Sequence, residues 1–342
     1  MRLRPALLLT ALLSACQGSD PQPLVWIDGD TFYPGNIAFV AGGGASEFIA
    51  YTRFSNSATA PNTIRLLRHR AARPDALELV GDVDLGLGWA AAVSRLFVTG
   101  GAAVPCLGST CWVIDLTSEA LPRSTITLPG EPDGLAIHGR WLVSGAGTTV
   151  SLLDLQGGPG ATFTARAPVT SVLPVPPPPL PEPPAGPTFL AFTTVGYVRV
   201  TADAAPTFAE VDDPTLRSFA AAFPDGAGGL VAGPSPTYGF SRVVRLDLSS
   251  PATPVVSHVE ELPVHFASFA WDGGATSVVA ASPGETFAPL RDGYVLRELE
   301  GEFTSAGIPL PQWWGDGVTV AMHADRLFTM SNSGFDMFRI AR

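Results

Sequence analysis

Apolar and polar positions alternate along this chain in short runs that have the length of β-strands. In Gly134–Leu155, GLAIHGRWLVSGAGTTVSLLDL, an apolar start is followed by a second apolar run and, after a Gly/Thr turn, by a third. Such runs, bounded by glycine, proline and small polar residues, are typical of strands. Beyond the N-terminus no stretch has the spacing of an amphipathic helix. The pattern predicts an all-β protein.

Variants of this stretch recur as seven candidate units. Their apolar starts lie near residues 37, 90, 135, 169, 219, 266 and 318, a spacing of 34 to 53 residues, and most units contain four strand-like runs. The second unit is assigned the runs WAAAV, RLFVTG, CWVIDL and RSTITL, between Trp89 and Leu128. Four strands per unit at this spacing are typical of a β-propeller, whereas solenoid repeats are shorter and more uniform.

The last unit contains only three runs, and an unassigned run, LVWID at Leu24–Asp28, precedes the first unit. Pairing this N-terminal run as the outer strand of the last blade would close the ring and cover an exposed strand edge. We therefore predict an all-β, seven-bladed β-propeller with an N-terminal strand that closes the last blade. Six or eight blades are the alternatives.

The composition includes enough apolar residues for a core, and the charge limits the kinds of partner that the protein can bind. Of the 342 residues 46% are hydrophobic and 15% are charged, and the formal net charge is −11, without a single lysine. An acidic chain that has no basic cluster is not expected to bind nucleic acid, or an anionic bilayer surface directly.

The first residues, MRLRPALLLTALLSAC, combine two arginines, an apolar run from Ala6 to Leu13 and small residues before Cys16. The apolar run is far shorter than the about 20 residues that span a bilayer, which is typical of a secretory signal. Leu13–Cys16, LSAC, resembles the bacterial lipobox. The resemblance implies removal of residues 1–15 as a signal peptide and acylation of Cys16 with lipid chains such as palmitate. The alternative is an ordinary signal peptide with a chance cysteine.

The lipobox resemblance also implies a cellular location. Two or three acyl chains anchor a protein firmly, whereas a single chain is marginal. Residues 16–23 are polar and unpatterned, so we expect them to tether residues 24–342, the propeller domain, to the membrane. Gln17, and not aspartate, follows the cysteine, which in Gram-negative lipoprotein sorting favours the outer membrane. We expect a lipid-anchored protein of the cell envelope, on either the periplasmic or the surface side.

Cys106 and Cys111 enclose four residues and have no third cysteine partner once Cys16 is acylated. In an oxidising periplasm this spacing favours a disulfide in a hairpin loop. A metal site would need further ligands nearby, and a redox pair normally shows the tighter C-x-x-C spacing.

Three predicted third strands share an aliphatic-Asp-Leu core before a turn: Cys111–Pro122, Val150–Gly160 and Val243–Pro254. This core resembles the LVIVD-type repeat of bacterial and archaeal surface propellers. An aspartate side chain bonds the backbone just beyond it, so we expect the aspartate of each core to order the turn. These residues are Asp115, Asp154 and Asp247.

Residues 174–187, PVPPPPLPEPPAGP, contain nine prolines and are expected to adopt the extended polyproline II conformation. The tract falls between the first and second runs of unit four, so it predicts a loop insertion and not a domain boundary. A stiff surface projection and a docking segment for an SH3-like partner are the two interpretations. Strand order predicts that this insertion and the Cys106–Cys111 loop lie on opposite faces of the propeller.

The connectors between blades are the candidates for a binding site, because they meet at the mouth of the central channel. Gln312–Gly317, QWWGDG, is the sharpest signal, since neighbouring strand residues alternate between faces and two adjacent tryptophans cannot both enter the core. Aromatic residues at a concave mouth suit a sugar or a peptide, and packing between blades is the alternative. The candidates are Trp89, Asp133, His265, Trp313, Trp314 and Asp316.

The sequence contains no G-x-S-x-G, Walker or zincin motif. His138 and His323 end equivalent first strands, so a histidine pair near the axis is one interpretation and two unrelated turn residues are the alternative. Some propellers, such as sugar lactonases, bind calcium on their axis, and such a site would draw here on Asp133, Asp225 and Asp316.

Two functions remain after this survey of motifs. The first is a non-catalytic, membrane-anchored propeller that binds a protein or glycan partner. The second is a hydrolase or lactonase-like enzyme with an axial metal. We favour the first because no positive sign of catalysis is present, and a fold alone does not supply a function. Apart from calcium in the second case, no cofactor is expected.

Overall fold

The computed structural model describes residues 24–31, 39–43, 46–53, 61–87, 91–175, 186–203, 205–225, 228–249, 253–281, 293–299, 302–308, 310, 319–331 and 334–340. Within these residues the helices and strands comprise 28 strands and no helix. The strands form seven sheets of four, and neighbouring strands in each sheet are antiparallel. Each sheet is one blade.

The blades follow the chain in order. Blade 1 contains β2 (Val40–Gly43), β3 (Ser46–Arg53), β4 (Thr63–His69) and β5 (Leu77–Asp84), and blade 2 contains β6 (Arg95–Thr99), β7 (Ala102–Leu107), β8 (Thr110–Asp115) and β9 (Arg123–Thr127). Blade 3 contains β10 (Gly134–His138), β11 (Trp141–Ala146), β12 (Thr149–Asp154) and β13 (Ala161–Thr164), and blade 4 contains β14 (Val169–Val175), β15 (Thr188–Thr193), β16 (Gly196–Thr201) and β17 (Thr207–Asp212). Blade 5 contains β18 (Ala221–Asp225), β19 (Gly228–Pro234), β20 (Ser241–Asp247) and β21 (Val255–Leu262), and blade 6 contains β22 (Phe266–Trp271), β23 (Thr276–Ala281), β24 (Gly293–Leu299) and β25 (Glu302–Ile308). Blade 7 contains β26 (Thr319–His323), β27 (Arg326–Ser331), β28 (Gly334–Ile340) and β1 (Leu24–Thr31).

The innermost strands close a ring. β2 contacts β6 and β26, and further contacts join β6 to β10, β10 to β14, β14 to β18, β18 to β22 and β22 to β26. Apolar side chains of neighbouring blades pack between the sheets, so each interface between blades is a separate part of the core. The predicted seven-bladed β-propeller is confirmed.

The N-terminal strand closes the last blade, as predicted. β1 pairs with β28 as the outer strand, from Leu24 opposite Ile340 to Thr31 opposite Gly334. The indole Nε1 of Trp26 donates a hydrogen bond to Asp336 Oδ1 over 2.9 Å, which links the two strands a second time. The first and the last of the described strands are therefore held in one sheet.

The strand assignment in the second unit was wrong. The run WAAAV does not supply the first strand: Ala91–Val93 is irregular, and Val93 packs into the interface between blades 1 and 2. The first strand is β6, which turns at Gly100 and Gly101, with φ of +56° and +77°, into β7. β7 is hard to predict from the sequence because it contains Pro105, and a proline removes a hydrogen-bond donor from the strand. Pro105 is tolerated there because the pairing of β7 with β8 is interrupted at this residue.

The antiparallel strand order gives the ring two different faces. The connectors between blades and the turns between second and third strands lie on one face, the connector face. The turns between first and second strands and between third and fourth strands lie on the other, the hairpin face. The Cys106–Cys111 loop joins β7 to β8 on the connector face, whereas β14 ends and β15 begins on the hairpin face. The strand ends that flank the proline tract therefore lie on the face opposite the Cys106–Cys111 loop, as predicted.

The proline tract begins inside the sheet and not in a loop. Pro174 and Val175 are the last residues of β14, paired with Phe189 and Thr188 of β15, so these two residues are strand rather than polyproline II. Residues 176–185 lie outside the described residues.

The aspartates of the three repeated cores order their turns, as predicted. Each carboxylate Oδ1 accepts a hydrogen bond from the backbone N–H two residues on, over 2.8 to 2.9 Å. The pairs are Asp115 with Thr117, Asp154 with Gln156, and Asp247 with Ser249. The contact is local, which is why the sequence pattern reveals it.

Candidate functional site

A cavity of about 760 Å³ lies along the axis of the ring. Its walls are formed by the innermost strands of all seven blades, and this volume falls within the range of small-molecule sites. The apolar part of the wall includes Val40, Leu96, Leu135, Val172, Phe223, Phe269 and Val320. The polar side chains in the wall belong to Ser46, Glu47, Arg68, Thr99, Asp133, His138, Ser171 and Ser268.

The free edge of each innermost strand faces this cavity, because the second strand covers only the other edge. Two prolines, Pro174 of β14 and Pro224 of β18, line the cavity at such edges. A proline is tolerated on a strand edge, where its missing N–H interrupts no ladder. The channel wall is therefore built from strand edges and the few side chains that reach past them.

Several hydroxyl groups in the wall hold neighbouring blades together. The Ser171 Oγ donates to the Phe219 carbonyl over 2.6 Å. Thr99 Oγ1 accepts from the Ile137 N–H over 3.2 Å, and Ser268 Oγ accepts from the Val320 N–H over 3.2 Å. Each bond joins an innermost strand, or the residues that lead into it, to its neighbour in the ring. These hydroxyls stabilise the fold.

Asp133 lies at the connector-face mouth of the cavity, where the connector enters β10. Its Oδ1 is 3.7 Å from Nη2 of Arg95, and its Oδ2 accepts a hydrogen bond from the Gly147 N–H over 3.2 Å. Both partners lie on the same face, and the carboxylate is about 40% exposed. Asp133 thus orders the mouth, and its carboxylate stays partly exposed there.

His265 lies in the connector before β22, on the connector face, and does not line the cavity. Its ring meets that of Tyr238 edge to face, with centroids 5.1 Å apart. Tyr238 is 81% exposed and lies in the turn between β19 and β20. Tyr238 is not among the residues predicted for the mouth, although its sequence signal is an aromatic residue in a turn that contains proline, serine and glycine.

The other candidates for the mouth, Trp89, Trp313, Trp314 and Asp316, lie outside the described residues, as does Cys16. Their roles in binding and in lipid attachment remain predictions. Of the candidate set, the structure places Asp133 at the cavity and His265 away from it.

Cys106 and Cys111 form a disulfide, and both residues are buried. They lie directly opposite each other on β7 and β8, among Leu128, Leu135 and Leu142. The bond ties the hairpin whose loop reaches the connector face.

The structure does not pair His138 with His323. His138 lines the cavity, whereas His323 is buried at the interface between blades 7 and 1 and contacts His69. Burial lowers the pKa of His323, and the neighbouring His69 lowers it further. His323 of blade 7 therefore pairs with His69 of blade 1 and not with His138 of blade 3.

The aspartates proposed for an axial calcium site are not brought together. Asp133 lies on the connector face, whereas Asp225 ends β18 on the hairpin face and forms an ion pair with Arg245; Asp316 lies outside the described residues. Within the described part of the chain, no group of three or more His, Cys, Asp or Glu side chains is arranged to hold a metal ion. No helix in that part is long and apolar enough to cross a bilayer.

No protein-family model matches the sequence, and no curated protein matches it. Among solved structures, a chain in the crystal structure of the Mitotic Checkpoint Complex has a TM-score of 0.54 and 11% identity, with 95% of this chain and 93% of that chain covered. PorZ of Porphyromonas gingivalis, a bacterial surface component of the type-IX secretion system, has a TM-score of 0.51 and 14% identity. That alignment covers 91% of this chain but only 38% of PorZ. At these identities the similarity shows the fold alone.

Proposed function

We propose that this protein is a lipoprotein of the cell envelope, attached to the outer membrane through acylated Cys16, whose propeller binds a protein or glycan partner without catalysis. The observation that carries the binding role is the axial cavity, which is bounded by all seven blades. PorZ, part of which is similar in fold to this chain, is described as a bacterial surface component of a secretion system, which is compatible with this location.

The connector face is the proposed binding surface. It presents the Asp133 carboxylate at the mouth and the exposed Tyr238 ring beside His265. Exposed tyrosines supply large contact area at low entropic cost, and they are enriched in binding interfaces. Trp313 and Trp314 lie outside the described residues, but they precede β26 in the sequence, so we expect them to extend this surface.

The polar groups of the wall favour binding over catalysis. A catalytic serine needs a base within hydrogen-bond reach. The Ser171 hydroxyl instead donates to a backbone carbonyl, and the Ser268 hydroxyl accepts from a backbone N–H. Both are committed to contacts between blades.

The lipid anchor is tested by growing a Gram-negative host that expresses the full chain with an alkyne analogue of palmitate. We expect label on the wild-type chain and none on Cys16→Ser. Equal label on both chains, or none on the wild type, would contradict the anchor.

The partner is tested with the purified full chain on a glycan panel and against envelope proteins of the same cell. We expect the double variant Trp313→Ala, Trp314→Ala to weaken the interaction found by about 30-fold or more, as for a hot-spot aromatic pair. Leu79→Ala is the control, because Leu79 is exposed on the outer strand of blade 1, away from the connector face mouth. Equal binding by both variants would contradict the assigned surface.

A further inference from the structure

The cavity extends between blades 1 and 2 near the hairpin face, and an arginine lines it there. Phe48 and Arg68 of blade 1 and Val98, Gly100 and Gly101 of blade 2 form this lobe, which we call the Arg68 pocket. Phe48 and Val98 belong to the same apolar cluster at the blade interface. The pocket therefore combines an apolar wall with one guanidinium.

The guanidinium of Arg68 is held but not neutralised by the described residues. Its Cζ lies over the Phe48 ring, 4.9 Å from the centroid, and its Nε is buried with no hydrogen-bond partner among them. Glu78 is opposite Arg68 on β5, but its carboxylate pairs with Arg70 over 3.2 Å. This covered Nε is not reachable from the cavity, so the donors that a ligand can meet are the Nη groups, with which no acidic side chain among the described residues forms an ion pair.

Glu47 also lines the cavity but belongs to the other side of the sheet. Successive strand residues point to opposite faces, so Glu47 and Phe48 diverge. The negative charge of the Glu47 carboxylate raises the pKa of His323, which lies in the interface between blades 7 and 1. It is not the counter-charge of the Arg68 pocket.

Beside Val98, the opposite wall of the pocket consists of a turn that has no side chains. Gly100 and Gly101 form this turn between β6 and β7 with φ of +56° and +77°, a conformation that favours glycine. A Cβ on Gly100 would lie 2.5 Å from the Ile137 carbonyl oxygen of the next blade, so this glycine is required by the packing of blade 2 against blade 3. The turn therefore contributes only backbone atoms to the Arg68 pocket.

We propose that the Arg68 pocket binds the carboxylate of a small ligand whose apolar body lies in the axial cavity. A guanidinium that rests on an aromatic face presents its N–H edge, and the planar fork of arginine matches a carboxylate with two parallel hydrogen bonds. The apolar wall described above accepts the body of the ligand. This site is on the hairpin-face side, separate from the proposed partner surface on the connector face.

The test uses isothermal titration calorimetry of the full chain in nanodiscs, with empty nanodiscs subtracted. The probes are 4-phenylbutyrate, its neutral amide, 4-phenylbutyramide, and acetate. We expect the amide and acetate each to bind about tenfold more weakly than 4-phenylbutyrate, because each lacks one of the two recognised groups. Equal binding of the amide, or no binding of 4-phenylbutyrate, would overturn the proposal.

The matched variants are Arg68→Gln and Arg140→Gln. Arg140 lies in the turn between β10 and β11 and does not line the cavity, and its side chain is 47% exposed. We expect Arg68→Gln to weaken 4-phenylbutyrate binding about tenfold and Arg140→Gln to leave it unchanged. If Arg68→Gln fails to fold, Arg68→Lys replaces it and should bind with an intermediate affinity, since it keeps the charge but loses the fork. Wild-type affinity in a folded Arg68 variant would overturn the proposal.

The double variant Trp313→Ala, Trp314→Ala separates this site from the partner surface. It should retain wild-type affinity for 4-phenylbutyrate, whatever it does to partner binding. A parallel loss of both activities in this variant would contradict a separate site.

Discussion

The Nδ1 atoms of His69 and His323 lie 2.9 Å apart, across the interface between the first and seventh blades. His69 Nε2 is 2.9 Å from the carbonyl oxygen of Pro74, which can only accept, so that nitrogen carries a proton. In a neutral His69 ring Nδ1 is then the acceptor, and Nδ1–H of His323 donates to it. The geometry assigns both tautomers.

Acidification should destabilise the protein through this pair. His69 and His323 are 0% and 8% exposed, and burial is the main cause that lowers the pKa of each below the ordinary value of 6.5. The unfolded chain binds more protons below that pH, so stability is fully present above it and is lost as the pH falls toward the folded pKa values. We expect the melting temperature to fall between about pH 7 and pH 5.

The surrounding charges modify this response without reversing it. Arg326 lowers the pKa of His69, whereas Asp75 and Asp325 raise it. Glu47 and Asp272 raise the pKa of His323. The double variant His69→Gln, His323→Gln should show a shallower loss of melting temperature on acidification, and His258→Gln, on the outer strand of blade 5, should keep the wild-type slope. Identical slopes in all three proteins would refute the assignment.

Adding a methyl group to Gly145 should loosen the interface between blades 3 and 4. A Cβ there would lie 2.6 Å from Cβ of Val169, which is buried and fixed by the backbone of β14. We expect Gly145→Ala to lower the free energy of unfolding by about 1–3 kcal/mol, the usual cost of overpacking. Gly274→Ala is the control, because its nearest neighbour would be Asp272 Oδ1 at 3.4 Å. Urea unfolding measures both, and equal midpoints would contradict the close approach.

Replacing Arg242 by lysine should destabilise the connector between blades 4 and 5. Its guanidinium donates to the carbonyls of Thr215 and Arg217 and lies 4.5 Å over the Phe219 ring. These residues flank Ser218, whose φ of +58° is unfavourable for a residue with a side chain. Burial lowers the pKa of Arg242, which is 6% exposed.

A lysine ammonium cannot replace both of these bonds and the stacking, so we expect Arg242→Lys to cost about 2 kcal/mol in urea unfolding. Arg140→Lys is the control. Arg140 also stacks on an aromatic ring, at 4.8 Å over Trp141, but about half of its side chain is exposed. If Arg140→Lys lowers the free energy of unfolding as much, the loss in Arg242→Lys comes from the stacking alone and not from the hydrogen bonds to the connector.

Removing the disulfide should lower stability by a moderate amount. Cys106 and Cys111 close a short loop, for which chain entropy predicts a contribution of about 2 kcal/mol. We expect Cys106→Ala, Cys111→Ala to unfold at lower urea concentration, and a thiol reductant to shift the wild type toward this variant without affecting the variant itself. A shift of the variant by the reductant would point to another target.

Local features of the fold were predictable from the sequence. Asp115, Asp154 and Asp247 bond N–H groups two residues on, and Cys106 and Cys111 lie opposite each other in one hairpin. Such contacts depend on residues close together in the chain, so spacing reveals them. The error in the second unit arose because an apolar run does not have to be a strand: Ala91–Val93 is irregular, and Val93 packs between blades 1 and 2. In the same unit Pro105 makes the sequence of β7 look unlike a strand.

The spacing of apolar runs was enough to define seven four-stranded units and the N-terminal strand that completes the last one, because strand alternation is a local property of the chain. The tertiary structure decided which side chains contact each other between blades. His69 and His323 are 254 residues apart, and the orientation of Arg68 into the axial cavity depends on how blade 1 packs against blade 2. The sequence periodicity does not reveal these contacts, because each blade repeats the same strand pattern whichever side chains the neighbouring blade carries. The chemistry of the cavity is therefore a product of ring closure.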